Sequence, residues 1–285
     1  MTSARPQSVV DTGTAPARLT DDLTVVIPVR NAEALLEDCL SSVLACRPAA
    51  VVVVDGLSTD GTLERLSAYP VQVLSDEGRG LPAARLLGAQ AARTRYVALI
   101  DVDVVLRDED TLERLATEFV EGDCVALQAG LESVSGDGYW GRALVHHHRT
   151  GRSKSWFGLV CTVTERETLL AHGFDPTFVS GEDIDLRWRL RSAGLRAAVS
   201  RRTLVHHRFA GDDFAFARDQ FLMDGRGLGR MVRKNRGLRG LALVGLPAVA
   251  AARGVGVALL NGKPQFIPYY ACFAVYNYLG MAGLR

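Results

Sequence analysis

From residue 23 the chain alternates short apolar runs with longer segments in which apolar residues recur every three or four positions. The runs LTVVIPV at 23–29, VVVV at 51–54, VQVLS at 71–75 and YVALID at 96–101 are short and rich in β-branched residues, so each reads as a strand. Pro28 near the end of the first suits a strand terminus. Between the strands, NAEALLEDCLSSVLACRP places Leu36, Cys39, Leu40, Val43 and Leu44 at helical spacing, with Pro48 as a stop. STDGTLERL starts a second helix and LPAARLLGAQAA at 81–92 forms a third. Strands apolar on both faces, joined by helices, predict a mostly parallel sheet with helical crossovers.

The pattern then predicts a strand near 124–131, a helix near 138–148, a strand at 156–163 and a helix at 182–193. A strand near 195–200 leads to the pair His206–His207. Segment 212–235 reads as helical, with Phe214, Ala217, Phe221, Leu228 and Val232 on one side. Its Gly225, Gly227 and Gly229 each cost roughly 1 kcal/mol against Ala in a helix interior. Two apolar stretches, 241–260 and 266–284, close the chain. Residues 1–22, rich in Ser, Thr, Pro, Ala and Asp without periodicity, are expected to be a disordered leader. The expected organisation is that leader, an α/β domain over 23–210 and a helical extension over 211–285.

A hydrophobic fraction of 48% and a charged fraction of 23% allow a sizeable core, and a net charge of +1 gives no sign of a nucleic-acid partner. The five cysteines are scattered without a CxxC pair, as expected of reduced thiols in a cytoplasmic protein.

Three acidic segments carry the candidate chemistry. Asp101 and Asp103 end a buried strand, where ligands bind in open α/β sheets, and hard carboxylate oxygens there suit Mg²⁺ or Mn²⁺ bridging to phosphates. Asp55 ends another strand before a Gly-rich turn, a place where a nucleotide's base or ribose could meet a carboxylate. Glu182 and Asp183 open an amphipathic helix. Each has an ordinary alternative, since acids also cap helices and complement their dipoles.

Order and spacing decide between them. The segments VVIPVRNAEALLEDCLSSVL, VVVVDGLSTDGT, GRGLPAARLLGA, YVALIDVDV, HGFDPTF, GEDIDLRWRLRSAGL and LVHH resemble, in family order, the family 2 glycosyltransferases over about residues 23–210. That resemblance implies a GT-A fold, a nucleotide-sugar donor, a divalent metal (Mg²⁺ or Mn²⁺) and inversion at the anomeric carbon. It assigns donor contacts to Pro28, Arg30, Asn31, Asp55, Arg85 and Asp101, and metal ligation to Asp103 and His206. Asp183 matches the general base and Glu182 its neighbour. A base on one face and positive charge at the leaving diphosphate are what direct displacement requires.

Two positions depart from the family pattern: Leu57 interrupts the usual pair of acids after Asp55, and Leu86 replaces the usual Asn after Arg85. No QxxRW-like signature follows the acidic helix, which favours single sugar transfer over processive synthesis. The alternative reading is a catalytically silent GT-A-like binding or scaffold subunit. A nucleotidyltransferase would need a Gly-rich basic loop after the first strand, which PVRNAEA is not.

His146, His147 and His148 point in different directions on a helix and cannot all grip one ion, so a solvated acceptor-side helix is expected there. Trp140, Trp156 and Phe157 read as core, with an aromatic acceptor platform as the alternative. Between 187 and 240 fourteen Lys/Arg face four Asp/Glu, directly before the apolar stretches. Either these stretches pack on the domain, or the region docks peripherally on an anionic membrane at its cytoplasmic face. The second case would bring a lipid-linked acceptor close. Arg253 and Pro268 argue against spanning.

Overall fold

The computed structural model describes residues 18–150, 156–178, 180–235 and 237–284. The expected leader therefore lies, for residues 1–17, outside the described residues. Its last part is ordered: Leu19–Asp22 form a 3₁₀ turn whose Leu19 and Thr20 N–H groups donate to Glu113 at 3.0 Å.

The strands are β1 Leu23–Val29, β2 Ala50–Asp55, β3 Gln72–Ser75, β4 Tyr96–Ile100, β5 Val104–Val105, β6 Ala126–Val134, β7 Cys161–Glu165 and β8 Ala197–Arg208. They form one sheet in the order β3-β2-β1-β4-β7-β6-β8-β5. The first half, β3-β2-β1-β4, is parallel throughout; β7 enters antiparallel to both β4 and β6. Strand β6 is parallel to β8, which pairs antiparallel with the two-residue β5. This is the GT-A arrangement that the motif order implied. Pro28, with no N–H to donate, falls where β1 has run past its last β4 partner.

The helices are α1 Leu36–Ala45, α2 Thr62–Leu66, α3 Leu81–Ala91, α4 Thr111–Glu121, α5 Tyr139–Thr150, α6 Arg166–His172, α7 Glu182–Ser192, α8 Phe214–Lys234, α9 Leu238–Leu260 and α10 Ile267–Met281. Alternation along β1 splits the core. Leu23, Val25, Ile27 and Val29 face α1 and α4, while Val26 faces α3, α6 and α7. Gly88 makes that second contact close, because a Cβ there would lie 2.2 Å from Val26 Cγ1. Helix α3 is thereby seated on β1, with Arg85 one turn earlier over the strand ends.

The strand expected at 156–163 begins only at Cys161. Residues 156–160 instead form a loop held by the buried Gln128. Its Nε2 donates to the Trp156 carbonyl at 3.0 Å, and its Oε1 accepts from Gly158 N–H at 2.7 Å.

The glycines of α8 are contact points. A Cβ on Gly225 would meet the Asn277 carbonyl of α10 at 2.2 Å, and one on Gly227 the Ser180 carbonyl at 2.6 Å. The propensity they sacrifice lets α8 press against α10 and against the loop that starts α7.

Candidate active site

The predicted site residues gather at one edge of the sheet, around the carboxyl ends of β1, β2 and β4. At the β1–β2 end, Asn31 sits in the left-handed region (φ 50°) and ties the two loops together. Its N–H donates to Ser58 Oγ at 2.9 Å, and its Oδ1 accepts from Thr59 N–H at 2.8 Å. Asp55 is buried and accepts the Ser58 N–H at 3.1 Å, so part of its acceptor capacity shapes the turn. Arg30 is exposed beside Gly56, whereas Pro28 is buried within β1 and reaches this edge only through its backbone.

Sequence reasoning missed the neighbouring Asp76. This buried carboxylate at the end of β3 accepts Gly78 N–H at 2.9 Å and Gly80 N–H at 2.7 Å, and so sets the loop before α3. Leu57 (φ 62°) lies over that loop, with its Cδ1 3.0 Å from where a Gly78 Cβ would be.

Arg85 organises the second cluster. It is 1% exposed, and its guanidinium forks between Glu182 Oε1 at 2.5 Å and Asp101 Oδ1 at 2.6 Å. A fork with fixed donors fits two carboxylates on different elements in a way that Lys could not. Burial alone would lower the Arg85 pKa, but Asp101 and Glu182 outweigh it and hold it above the ordinary value. Arg85 thus couples the end of β4 to the start of α7. Burial also pushes Asp101 up to about 6, with Arg85 opposing and Asp103 adding to the rise.

The histidine beside Asp103 is His207, not the expected His206. Register explains the shift, because β5 pairs Val104 with His207 and Val105 with His206. His207 Nε2 lies 3.1 Å from Asp103 Oδ2, while His206 turns to Glu132 at 3.6 Å. Alternation along a strand puts successive side chains on opposite faces, so only one of the pair can face the site. Burial opposes charge on His207, yet Asp103 keeps its pKa above the usual imidazole value.

Among the described residues no group of three or more His, Cys, Asp and Glu forms a ready metal cluster. Asp103 and His207 nevertheless fit a divalent cation. Asp103 Oδ1 is buried without a hydrogen-bond partner, and with His207 Nε2 beside the same carboxylate the pair offers an oxygen and a nitrogen that suit Mn²⁺ or Mg²⁺ completed by phosphate and water.

Asp183 sits in the first turn of α7, after Gly181 in the left-handed region (φ 82°). Trp156, exposed on the loop that Gln128 holds, donates its indole N–H to Asp183 Oδ2 at 3.1 Å. Its ring also carries the Arg187 guanidinium at 5.9 Å. Burial and the Glu182 carboxylate push Asp183 up to about 6, with Trp156 restraining the rise. Burial and the Asp183 carboxylate push Asp224 of α8 up to about 7. The contact of Gly227 with Ser180 and Gly181 is what brings α8 this close.

The three histidines of α5 are packed rather than solvated. His146 is buried against Phe266, His147 lies among Tyr269, Tyr270 and Phe273, and His148 Nδ1 meets Ser133 Oγ at 3.1 Å beside the His207 ring. Burial drives His147 down to about 4 and His148 down to about 3, so both are neutral near pH 7.

Comparison with known proteins agrees with this arrangement. The family model described as Glycosyl transferase family 2 matches residues 24–170, just over half of the chain. The chain is 32% identical over 216 residues to a pre-mycofactocin glycosyltransferase of Mycobacterium tuberculosis, covering 65% of this chain and 42% of that relative. It therefore spans about two-fifths of that relative's length. It is 28% identical over 272 residues to the succinoglycan biosynthesis protein ExoA of Rhizobium meliloti, covering 85% of this chain and 81% of that one. Among solved structures, a mannosyltransferase from Pyrobaculum calidifontis in complex with GDP-Man and Mn²⁺ aligns with a TM-score of 0.60 at 19% identity, over 90% of this chain and 86% of that one. At that identity the likeness concerns the fold.

Proposed function

The chain belongs to glycosyltransferase family 2, and from that premise we propose that it moves a single sugar from a nucleotide-sugar donor to an acceptor hydroxyl, with inversion at the anomeric carbon. The observation that carries the reading is the Arg85 fork, which ties the carboxylate at the end of β4 to the helix that presents Asp183.

In this mechanism the nucleotide lies along the β1–β2 end, held by Arg30, Asn31 and Asp55, and its ribose and diphosphate run toward Asp101 and Asp103. Asp103 and His207 would hold the divalent cation, which when bound neutralises charge on the diphosphate. Asp183 takes the proton of the acceptor hydroxyl as its oxygen bonds to the anomeric carbon and the bond to the diphosphate oxygen breaks. Attack from the face opposite the leaving group inverts the centre. A carboxylate raised to about 6 is ionised at pH 7, yet more basic than an ordinary aspartate. Trp156 orients it, and its ring offers an apolar face to a sugar. Screening nucleotide sugars for Mn²⁺-dependent thermal stabilisation tests the reading: one donor should stabilise strongly, and none doing so would reject it.

The C-terminal helices support a peripheral membrane partner. Helix α9 is long and apolar enough to cross a membrane, with 28% of its most apolar window buried. It packs one stripe, Leu243, Pro247, Ala251 and Ala258, on the body and turns Leu241, Val249, Leu259 and Leu260 outward. An outward apolar face on a helix lying along the protein suits in-plane insertion at a bilayer surface. One cation of the basic segment is neutralised, since Lys234 pairs with Asp175 and Asp185, while Arg236 lies outside the described residues.

A further inference from the structure

Helix α8 brings a second carboxylate up to Asp183. Gln220, Asp224, Gly227 and Leu228 recur at helical spacing and share one face of it. On that face Gly227 lies against Ser180 and Gly181, the two residues before Glu182 and Asp183. One turn before Asp224, the Phe221 ring meets Tyr269 of α10 edge-on at 5.2 Å. Gly225 closes the same turn against α10, because a Cβ there would meet the Asn277 carbonyl. Asp224 is thus set between the start of α7 and Tyr269 by contacts on either side of it in the helix.

The polar groups at this point lack strong partners. Asp224 is half-buried, Gln220 Nε2 reaches its Oδ1 only at 3.5 Å, and no cation among the described residues offsets its charge. The Tyr269 hydroxyl is buried, has no hydrogen-bond partner and feels the Asp224 charge. Leaving such groups unpaired costs free energy that a bound ligand recovers. Burial and Asp183 push the Asp224 carboxyl up to about 7, so near neutral pH it exchanges between an accepting and a donating form. A hydroxyl, which also donates and accepts, matches it in either form.

We propose that Asp224 is a specificity-determining residue: it binds a second hydroxyl of the acceptor and so selects which neighbouring hydroxyl Asp183 deprotonates. The inference rests on the glycosyltransferase reading and deepens it on the acceptor side of that site. Trp156 flanks Asp183 on the loop before β7 and Asp224 flanks it on α8, so the acceptor lies between the two.

The test uses the donor selected by the stabilisation screen, with methyl glucoside, galactoside and mannoside and their monodeoxy counterparts as acceptors. The full chain, Asp224→Ala and Asp224→Asn are compared by nucleotide diphosphate release and by the linkage formed. For the native chain, deleting one particular hydroxyl next to the reacting one should lower kcat/KM by about 10- to 100-fold, as for a hydrogen bond to a charged group. Asp224→Ala should lose a similar factor on the parent glycoside, mainly through KM. It should also lose the discrimination against the deoxy sugar and give mixed linkages. Asp224→Asn keeps an acceptor oxygen and should retain part of both. If Asp224 only braces the helices, every acceptor slows equally and the discrimination stays, which overturns the proposal. A native chain that hydrolyses donor but uses none of the glycosides overturns it as well. A native chain that neither binds nor turns over any donor rejects the glycosyltransferase reading itself.

Discussion

Replacing Arg85 with Met keeps most of the side-chain volume and removes the charge that Asp101 and Glu182 share. Both ion pairs are short, 2.6 and 2.5 Å, and the Arg85 and Glu182 side chains are 1% and 5% exposed. Breaking a buried pair by removing one partner typically costs about 3–5 kcal/mol, because the remaining charge has neither water nor a counterion. Domains are stable by only about 5–15 kcal/mol, and in a chain of this size 1 kcal/mol moves Tm by roughly 2–4 °C. Arg85→Met should therefore lower Tm by about 6–20 °C at pH 8. The loss should shrink on acidification. Burial already holds the Asp101 carboxyl up at about 6 against the pull of Arg85, and without Arg85 it rises further, so the folded variant binds more protons and its stability falls more steeply as pH rises. Differential scanning calorimetry of both proteins from pH 5 to pH 8 measures this. A Tm within about 2 °C of the native value at pH 8, or a gap that widens toward acid, would refute the role given to Arg85.

The pH dependence of kcat/KM should show an acid limb near pH 6, rising about ten-fold per unit below it, because Asp183 must be ionised to accept a proton. Trp156→Phe removes a donor that favours the carboxylate and should move the limb to higher pH; an unmoved limb removes Trp156 from base positioning. Chelator should abolish turnover, and Asp103→Ala and His207→Ala should weaken Mn²⁺-dependent donor binding measured by calorimetry, whereas His206→Ala should not. The opposite order between the two histidines would return the ligand to His206. Flotation with anionic vesicles should carry the chain upward and weaken at high salt, and Leu241→Glu/Leu260→Glu should abolish it. Unimpaired flotation of that variant would place the contact elsewhere.

Much of the β1–β4 half was legible because its signals are local. β-branched runs, Pro48 as a stop and the glycines around Asp55 each dictate structure within a few residues, and the observed β1–β4 follow the apolar runs closely. What stayed hidden depends on pairing between distant segments. Which of His206 and His207 meets Asp103 is set by a two-residue strand, too short to register as a pattern. The WFGLV run looked like a strand until Gln128, far off in sequence, claimed its backbone. Helix α4 carries a clear amphipathic stripe of Leu112, Leu115 and Phe119, and could have been read. The glycines of α8 looked like defects because their partners, Ser180 and Asn277, lie on other elements. Asp224 joins Asp183 only through that packing.

The role of Asp183 in the chemistry is tested most directly by measuring turnover and nucleotide affinity together in Asp183→Asn. The substitution keeps size and leaves the Arg85 fork to Glu182 and Asp101 in place. Loss of general-base assistance should lower kcat by about 100- to 10,000-fold, while the affinity for the nucleotide diphosphate with Mn²⁺ stays within about two-fold of the native value. Turnover within a few-fold of native, with donor binding intact, would contradict the assignment of Asp183 as the base.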